Sequence, residues 1–260
     1  MHDTPAEPSP PTDGGRVRVL VIEHDADDPP LRLGGWLASA GADLVVCRAH
    51  RCDPIPDSTA GIDALISMGG EMGATDDDLA PWLPATRRLL RDAIADGTPT
   101  LGICLGAQLL AVAGGGTVRR GDAGPERGAY LTAKRDAAKH DPLFGPLPMT
   151  PDVMQYHNDV VTELPAGATL LLTGTGYPHQ AWRLGMAWAT QFHFETSADD
   201  LRGWAAAAGD DTDSRFGSTL DAASDTMAHV WRDFTDRFVT VARGRRPGAP
   251  PPCAGAADPA

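Results

Sequence analysis

One cysteine closes an apolar run and has a glycine two residues to either side. In "TLGICLGAQLLAVAGGG", residues 100–116, Cys104 lies between Gly102 and Gly106. The run from Pro99 to Ile103 predicts a strand and Gly106 to Ala113 predicts a helix, so the thiol falls in the turn between them. Backbone N–H groups at a helix N-terminus lack intrahelical acceptors, and the helix dipole is positive there, which favours a thiolate. The two glycines suit an elbow that presents a nucleophile, the logic of the Gly-x-Ser-x-Gly turn. Taken alone, such a thiol can equally be a packing residue, because free cysteines are among the most buried side chains.

A nucleophile needs a base, and "QFHFET" supplies one. His193 and Glu195 are two residues apart in an extended segment, which puts both side chains on one face. The carboxylate can then fix the imidazole tautomer, the arrangement that activates a thiol. In isolation, His-x-Glu reads as a surface pair; beside an elbow it reads as a relay. "MGGEMG", Met68 to Gly73, is a glycine-rich turn whose N–H groups can meet an oxyanion, together with the N–H of Leu105. A phosphate cradle is the competing reading. It is disfavoured because no Gly-Lys-Ser/Thr follows and Glu71 would repel phosphate.

These residues must be positioned by the elements around them. "RVRVLVIEH", "ADLVVCRA" and "IDALISMGG" predict strands, with "PPLRLGGWLASAG" a helix stopped at Gly41. A second helix starts near Pro84, buries Leu83, Leu89, Leu90 and Ile94, and ends at Gly97. Short β-like runs dominate from Tyr130 to His193, among them "ATLLLTG", "HQAWRLG" and "MAWATQFHF". Helices over "SADDLRGWAAAAG" and "SDTMAHVWRDFTDRFVTVAR" complete the pattern. The alternation predicts an α/β domain with an open, mostly parallel sheet flanked by helices. In such sheets ligands bind at the carboxyl ends of the strands, where "SMGGEMG", Cys104 and "QFHFET" all fall.

Composition narrows the class. A chain of 260 residues with formal net charge -13 offers no basic surface for nucleic acid or an anionic membrane; "RGRR" (243–246) reads as a solvated tail. Cys47, Cys52, Cys104 and Cys253 show no Cys-x-x-Cys spacing, which argues against a zinc site or disulfide framework and for a reducing compartment. Without a signal-like N-terminus or a long apolar run, a cytoplasmic location is expected. The expected organisation is a disordered tail over 1–15, one domain over 16–243, and a disordered Pro/Gly/Ala-rich tail over 244–260.

"GICLGAQLLA" followed by "QFHFE" resembles the class I (triad) glutamine amidotransferases, most of all the stand-alone proteins similar to the glutaminase domain of GMP synthase. The resemblance spans about residues 16–208 and extends to "SMGGEMGATDD", "PERG", "DPLFGPLP", "MQYHNDVVTELPAGATLL" and "HQAWRLG". It implies a flavodoxin-like fold with Cys104 as nucleophile, His193 as general acid/base and Glu195 as its orienting partner. It also implies an oxyanion hole at Gly70 and Leu105, and contacts to substrate from Gln108, His157, Asn158 and Asp159, His157 having loop shaping as its alternative role. Two positions depart from the family pattern: Phe194 and Glu71 stand where proline is common. The first implies a less constrained backbone, the second a looser turn or a negative charge at the pocket mouth.

The implied reaction is thiolate attack on a γ-glutamyl amide, collapse to a thioester with loss of the amine, and hydrolysis by a water that His193 activates. It requires no metal or organic cofactor. With ammonia as the amine, the chain is a glutaminase feeding a separate synthetase or amidating partner. With a larger amine it is a γ-glutamyl hydrolase, for which Glu71 and Asp76 to Asp78 would attract a cationic leaving group. A non-catalytic regulatory homologue is the third possibility.

Overall fold

The computed structural model describes residues 15–210 and 217–245. The expected tails, 1–15 and 244–260, lie outside this range apart from Gly15, Gly244 and Arg245. An eight-stranded sheet runs in the order β2-β1-β3-β4-β12-β11-β10-β7. Its first five strands, β2 (Ala42–Arg48), β1 (Val17–Glu23), β3 (Ala64–Ser67), β4 (Thr100–Ile103) and β12 (Ala187–Thr190), are parallel. β11 (Ala181–Leu184), β10 (Thr169–Thr173) and β7 (Ala133–Lys134) extend it antiparallel. Two ribbons stand apart from this sheet: β5 (Thr117–Arg120) with β9 (Asp159–Glu163), and β6 (Glu126–Leu131) with β8 (Asp152–His157).

The inner parallel strands β1, β3, β4 and β12 are largely buried on both faces, whereas β2 at the sheet edge leaves Asp43, Val45 and Arg48 exposed. Val19 and Val21 of β1 join one core with α1 (Leu31–Ser39) and α5 (Gly217–Gly244), through Leu33, Leu37, Trp231 and Phe234. Leu20 and Ile22, on the opposite face, join α2 (Leu83–Ala95) and α3 (Leu105–Ala113) through Leu89, Leu90, Leu109 and Leu110. The result is helices on both sides of a mixed sheet, as the sequence predicts.

Several features differ from expectation. α5 begins at Gly217, well before Ser224, because burial of Leu220 and Ala223 supplies the packing that local propensity does not. β12 ends at Thr190, and "QFHFE" is irregular chain tied down by an isolated bridge, in which His193 and Met154 exchange N–H···O bonds of 2.8 and 3.1 Å, and by Gln191 N–H to Gln180 O at 2.8 Å and Arg32 N–H to Glu195 O at 3.2 Å. Arginines of "RGRR" also reach the protein surface: Arg243 donates to Ala40 O at 3.1 Å and Arg245 to Ile62 O at 3.0 Å. Among the described residues no helix is long and apolar enough to cross a membrane.

Candidate active site

The carboxyl ends of β1, β3, β4 and β12, neighbours in the sheet, open into one cavity of about 770 Å³. Gly70, Cys104, Gln108, His157, Asn158, Asp159 and His193 line it, so seven residues singled out from sequence meet there. Glu195 and Leu105 do not line it. They are buried beside residues that do.

Cys104 is the N-cap of α3, with φ 49° and ψ −107°, a conformation rare for a residue with a side chain. The helix begins at Leu105, one residue before the expected start, which places the thiol directly on its first turn. Cys104 N–H donates to Thr190 O at 2.8 Å, anchoring the elbow to β12. The flanking glycines are required by close approach. A Cβ on Gly102 would lie 2.6 Å from Gly106 O, and one on Gly106 would collide with Ser67 O. The thiol side chain is 6 % exposed, within reach of Gln191 Nε2 at 3.9 Å.

His193 Nδ1 lies 2.6 Å from Glu195 Oε1. The carboxylate accepts, so Nδ1 carries a proton and Nε2 is the ring nitrogen not engaged by Glu195. Burial works against a charged ring, but Glu195, Cys104 and Asp28 hold the His193 pKa well above its ordinary value. Trp204 of α4 (Ala198–Ala208) packs edge-on against the imidazole, centroids 4.8 Å apart. Glu195 is itself fixed by the Phe194 N–H, which donates to Oε2 at 2.8 Å. Phe194 stacks on Trp231, centroids 5.0 Å apart, and meets Phe234 edge-on at 5.4 Å. The expected loosening at this position is therefore offset by aromatic packing, and the amide supplies a donor that proline lacks.

Gly70 sits over α3: a Cβ there would lie 3.2 Å from Leu105 Cδ2 and 3.3 Å from His24 Cβ. His24 supports this loop from beneath. Its Nδ1 accepts from Trp82 Nε1 at 3.1 Å, so Nε2 carries the proton and donates to Ser67 Oγ at 2.9 Å. Complete burial lowers the His24 pKa to about 3 and keeps the ring neutral.

The opposite wall comes from the ribbon of β6 and β8. Gln108 Nε2 donates to Asp159 O at 3.0 Å, tying α3 to the 157–159 turn. His157 has both nitrogens engaged, Nδ1 with Asp159 O at 3.1 Å and Nε2 with Glu126 Oε2 and Gln155 Oε1 at 3.0 Å each. Those contacts favour loop shaping over direct substrate contact for its ring. Arg127 was missed as a site residue, although "PERG" marked its neighbourhood. It faces the cavity, donates to His157 O at 2.6 Å and Asn158 Oδ1 at 2.8 Å, and lies over the Tyr156 ring at 4.2 Å. Tyr156 donates to Asp210 at 2.7 Å, and burial followed by that carboxylate pushes its pKa up to about 12.

At the mouth, Asp25, Asp27, Glu71 and Asp76 line the cavity. Asp77 does not: it forms a two-pronged pair with Arg87 at 2.7 and 2.8 Å. Asp78 is likewise absent from the wall. Asp28, at the end of the β1 loop, is a second residue that sequence reasoning passed over. Polar atoms of its side chain, His193 and Glu195 all lie within 4.8 Å of one another.

The sequence profile of the class I glutamine amidotransferases matches residues 36–202. Over 137 residues the chain is 33% identical to the glutamine-hydrolyzing GMP synthase of Thermomicrobium roseum, covering 53% of this chain but only 24% of that synthase. It is 25% identical over 193 residues to the glutamine amidotransferase-like protein YfeJ of Salmonella typhimurium, covering 72% and 79% of the two chains. The crystal structure of a glutamine amidotransferase from Thermotoga maritima superposes with TM-score 0.76 and 26% identity, over 86% of this chain and 98% of that one. A glutamine amidotransferase from Methylobacillus flagellatus gives TM-score 0.79 at 26% identity, over 87% and 96%. By sequence and by fold, the chain belongs to the class I glutamine amidotransferase family.

Proposed function

We propose that this chain hydrolyses the γ-amide of glutamine through Cys104, His193 and Glu195. The observation that carries the reading is the strained N-cap geometry of Cys104, which lines the same cavity as His193, whose Nδ1 is 2.6 Å from Glu195. Thiolate attack on the amide carbon gives a tetrahedral oxyanion, met by backbone N–H groups of the Gly70 loop and Leu105. One such donor contributes roughly 3 kcal/mol in the transition state. The imidazolium gives its proton to the departing amine. A γ-glutamyl thioester remains, and water activated by neutral His193 hydrolyses it to glutamate. Arg127, Asn158 and Asp159 are suited to the α-carboxylate and α-amino groups of the substrate, with Gln108 holding their turn in place.

The ammonia would pass to a separate synthetase or amidating partner, as the GMP synthase likeness suggests. A second reading, hydrolysis of a γ-glutamyl amine, draws support from the carboxylates of Asp25, Asp27, Glu71 and Asp76 at the mouth. Incubation with glutamine and with a panel of γ-glutamyl amines, with mass detection of an adduct on Cys104, tests both. Glutamine turnover that disappears in Cys104→Ser supports the first. Efficient cleavage of an amine conjugate with glutamine a poor substrate selects the second. Unchanged hydrolysis in Cys104→Ser removes the triad from either.

A further inference from the structure

Asp28 has no place in a Cys-His-Glu triad, yet it is buried at its centre. The side chain is 6 % exposed, and its Oδ1 has no hydrogen-bond partner. Its Oδ2 lies where a Cβ on Gly69 would be, and that same Cβ would stand 3.0 Å from His193 Cε1. Only a glycine at 69 lets the carboxylate and the imidazole approach together. The loop that carries Asp28 is held by Trp204 Nε1, which donates to Asp27 O at 2.8 Å, and continues into Pro29 and Pro30.

Burying a carboxylate without a donor is costly, and a mere packing role would be filled more cheaply by an uncharged side chain. Here two carboxylates, Asp28 and Glu195, flank one imidazole within 4.8 Å. A single imidazolium can compensate only one of them fully, so the two carboxylates compete for the same ring. We propose that Asp28 is a positioning residue of the candidate active site, a second carboxylate that flanks the His193 imidazole together with Glu195 and sets the charge of that ring.

The surrounding charges are few. From the end of β1, Glu23 and Asp25 face Asp28; from the chain after β12, His193 and Glu195 do. Cys104 reaches His193 from the elbow, while the neighbours from the β3 loop and α4, Gly69 and Trp204, are uncharged. Burial raises the Asp28 pKa to about 7, with Glu195, Asp25 and Glu23 adding to it and His193 opposing. Ionised Asp28 holds the imidazolium; protonated Asp28 releases it.

The role assigned to His193 rests on the proposed function, so the decisive readout is one that does not require turnover. In the full chain, the His193 ring resonances, assigned with His193→Gln, are followed by NMR across about pH 5 to 9. Asp28→Asn should shift the His193 titration down by about one unit or more, and Asp28→Glu should restore most of it. Selective carboxyl labelling of the wild type gives a test that needs no variant: Asp28 should titrate near neutrality. A His193 titration unchanged in Asp28→Asn, or an Asp28 carboxyl titrating in the ordinary acidic range, overturns the proposal. Failure of the wild type to hydrolyse any γ-glutamyl substrate would count against the proposed function alone. With turnover present, the inflection near neutrality in kcat/KM should be lost in Asp28→Asn. Reduced activity with that inflection intact would show a structural role and sink the idea.

Discussion

The backbone N–H of Phe194 donates to Glu195 Oε2 at 2.8 Å, and Glu195 Oε1 is engaged by His193 at 2.6 Å. A residue between His193 and Glu195 thus orients one of them through its amide, while its ring is locked in the aromatic cluster of Trp231 and Phe234. The two functions of Phe194 can be separated. Phe194→Pro removes the donor and should lower kcat/KM roughly ten- to a hundredfold, the loss of a hydrogen bond to a buried charge. Phe194→Leu keeps the donor and should cost stability, about 1–2 kcal/mol, with a smaller effect on rate. Equal kinetic losses in both variants would mean that the ring, not the amide, matters to the chemistry.

Glu195→Gln preserves shape but removes the charge that supports the imidazolium. Turnover should fall by about 10² to 10⁴ with KM little changed. Steady-state kinetics on the purified variant decide this, and wild-type turnover would reduce Glu195 to a bystander.

Gln108 ties α3 to the turn at 157–159 through Asp159 O and so holds the wall proposed to receive the substrate's α-groups. Gln108→Ala should therefore raise KM, about tenfold, more than it lowers kcat. Arg127→Gln should do the same if its guanidinium receives the substrate carboxylate. A pure kcat defect in either variant would contradict a binding role.

His24 makes acid stability testable. Its folded-state pKa, about 3, is depressed below the ordinary histidine value of about 6.5. Its contribution is therefore fully present above about pH 6.5 and lost as pH falls toward 3. Urea unfolding should show the wild type weakening across that window, and His24→Gln should show a shallower pH dependence while starting lower at neutral pH, by about 1–3 kcal/mol. Parallel pH curves for the two proteins would exclude His24 as a source of acid sensitivity.

Much of this was written locally. The elbow was legible because a strand, a cysteine and a helix follow one another with glycine on both sides, so its geometry depends on neighbours in the chain. The His193–Glu195 contact was also readable from spacing, although the strand invoked for it ends at Thr190 and the bridge to Met154 does the holding. Period-two and helical patterning gave the layered α/β arrangement, because each strand and helix must bury a face whatever its partner. Asp28, Arg127 and the neutral His24 were not legible. Their roles come from groups distant in sequence: Asp28 from His193, Arg127 from the turn at 157–159, His24 from Ser67 and Trp82. A side chain's charge and orientation depend on what the fold packs against it, and burial here turns ordinary residues into shifted or paired ones. Residue types and spacing determined which chemistry was possible; the tertiary packing decided which carboxylates, rings and amides surround it.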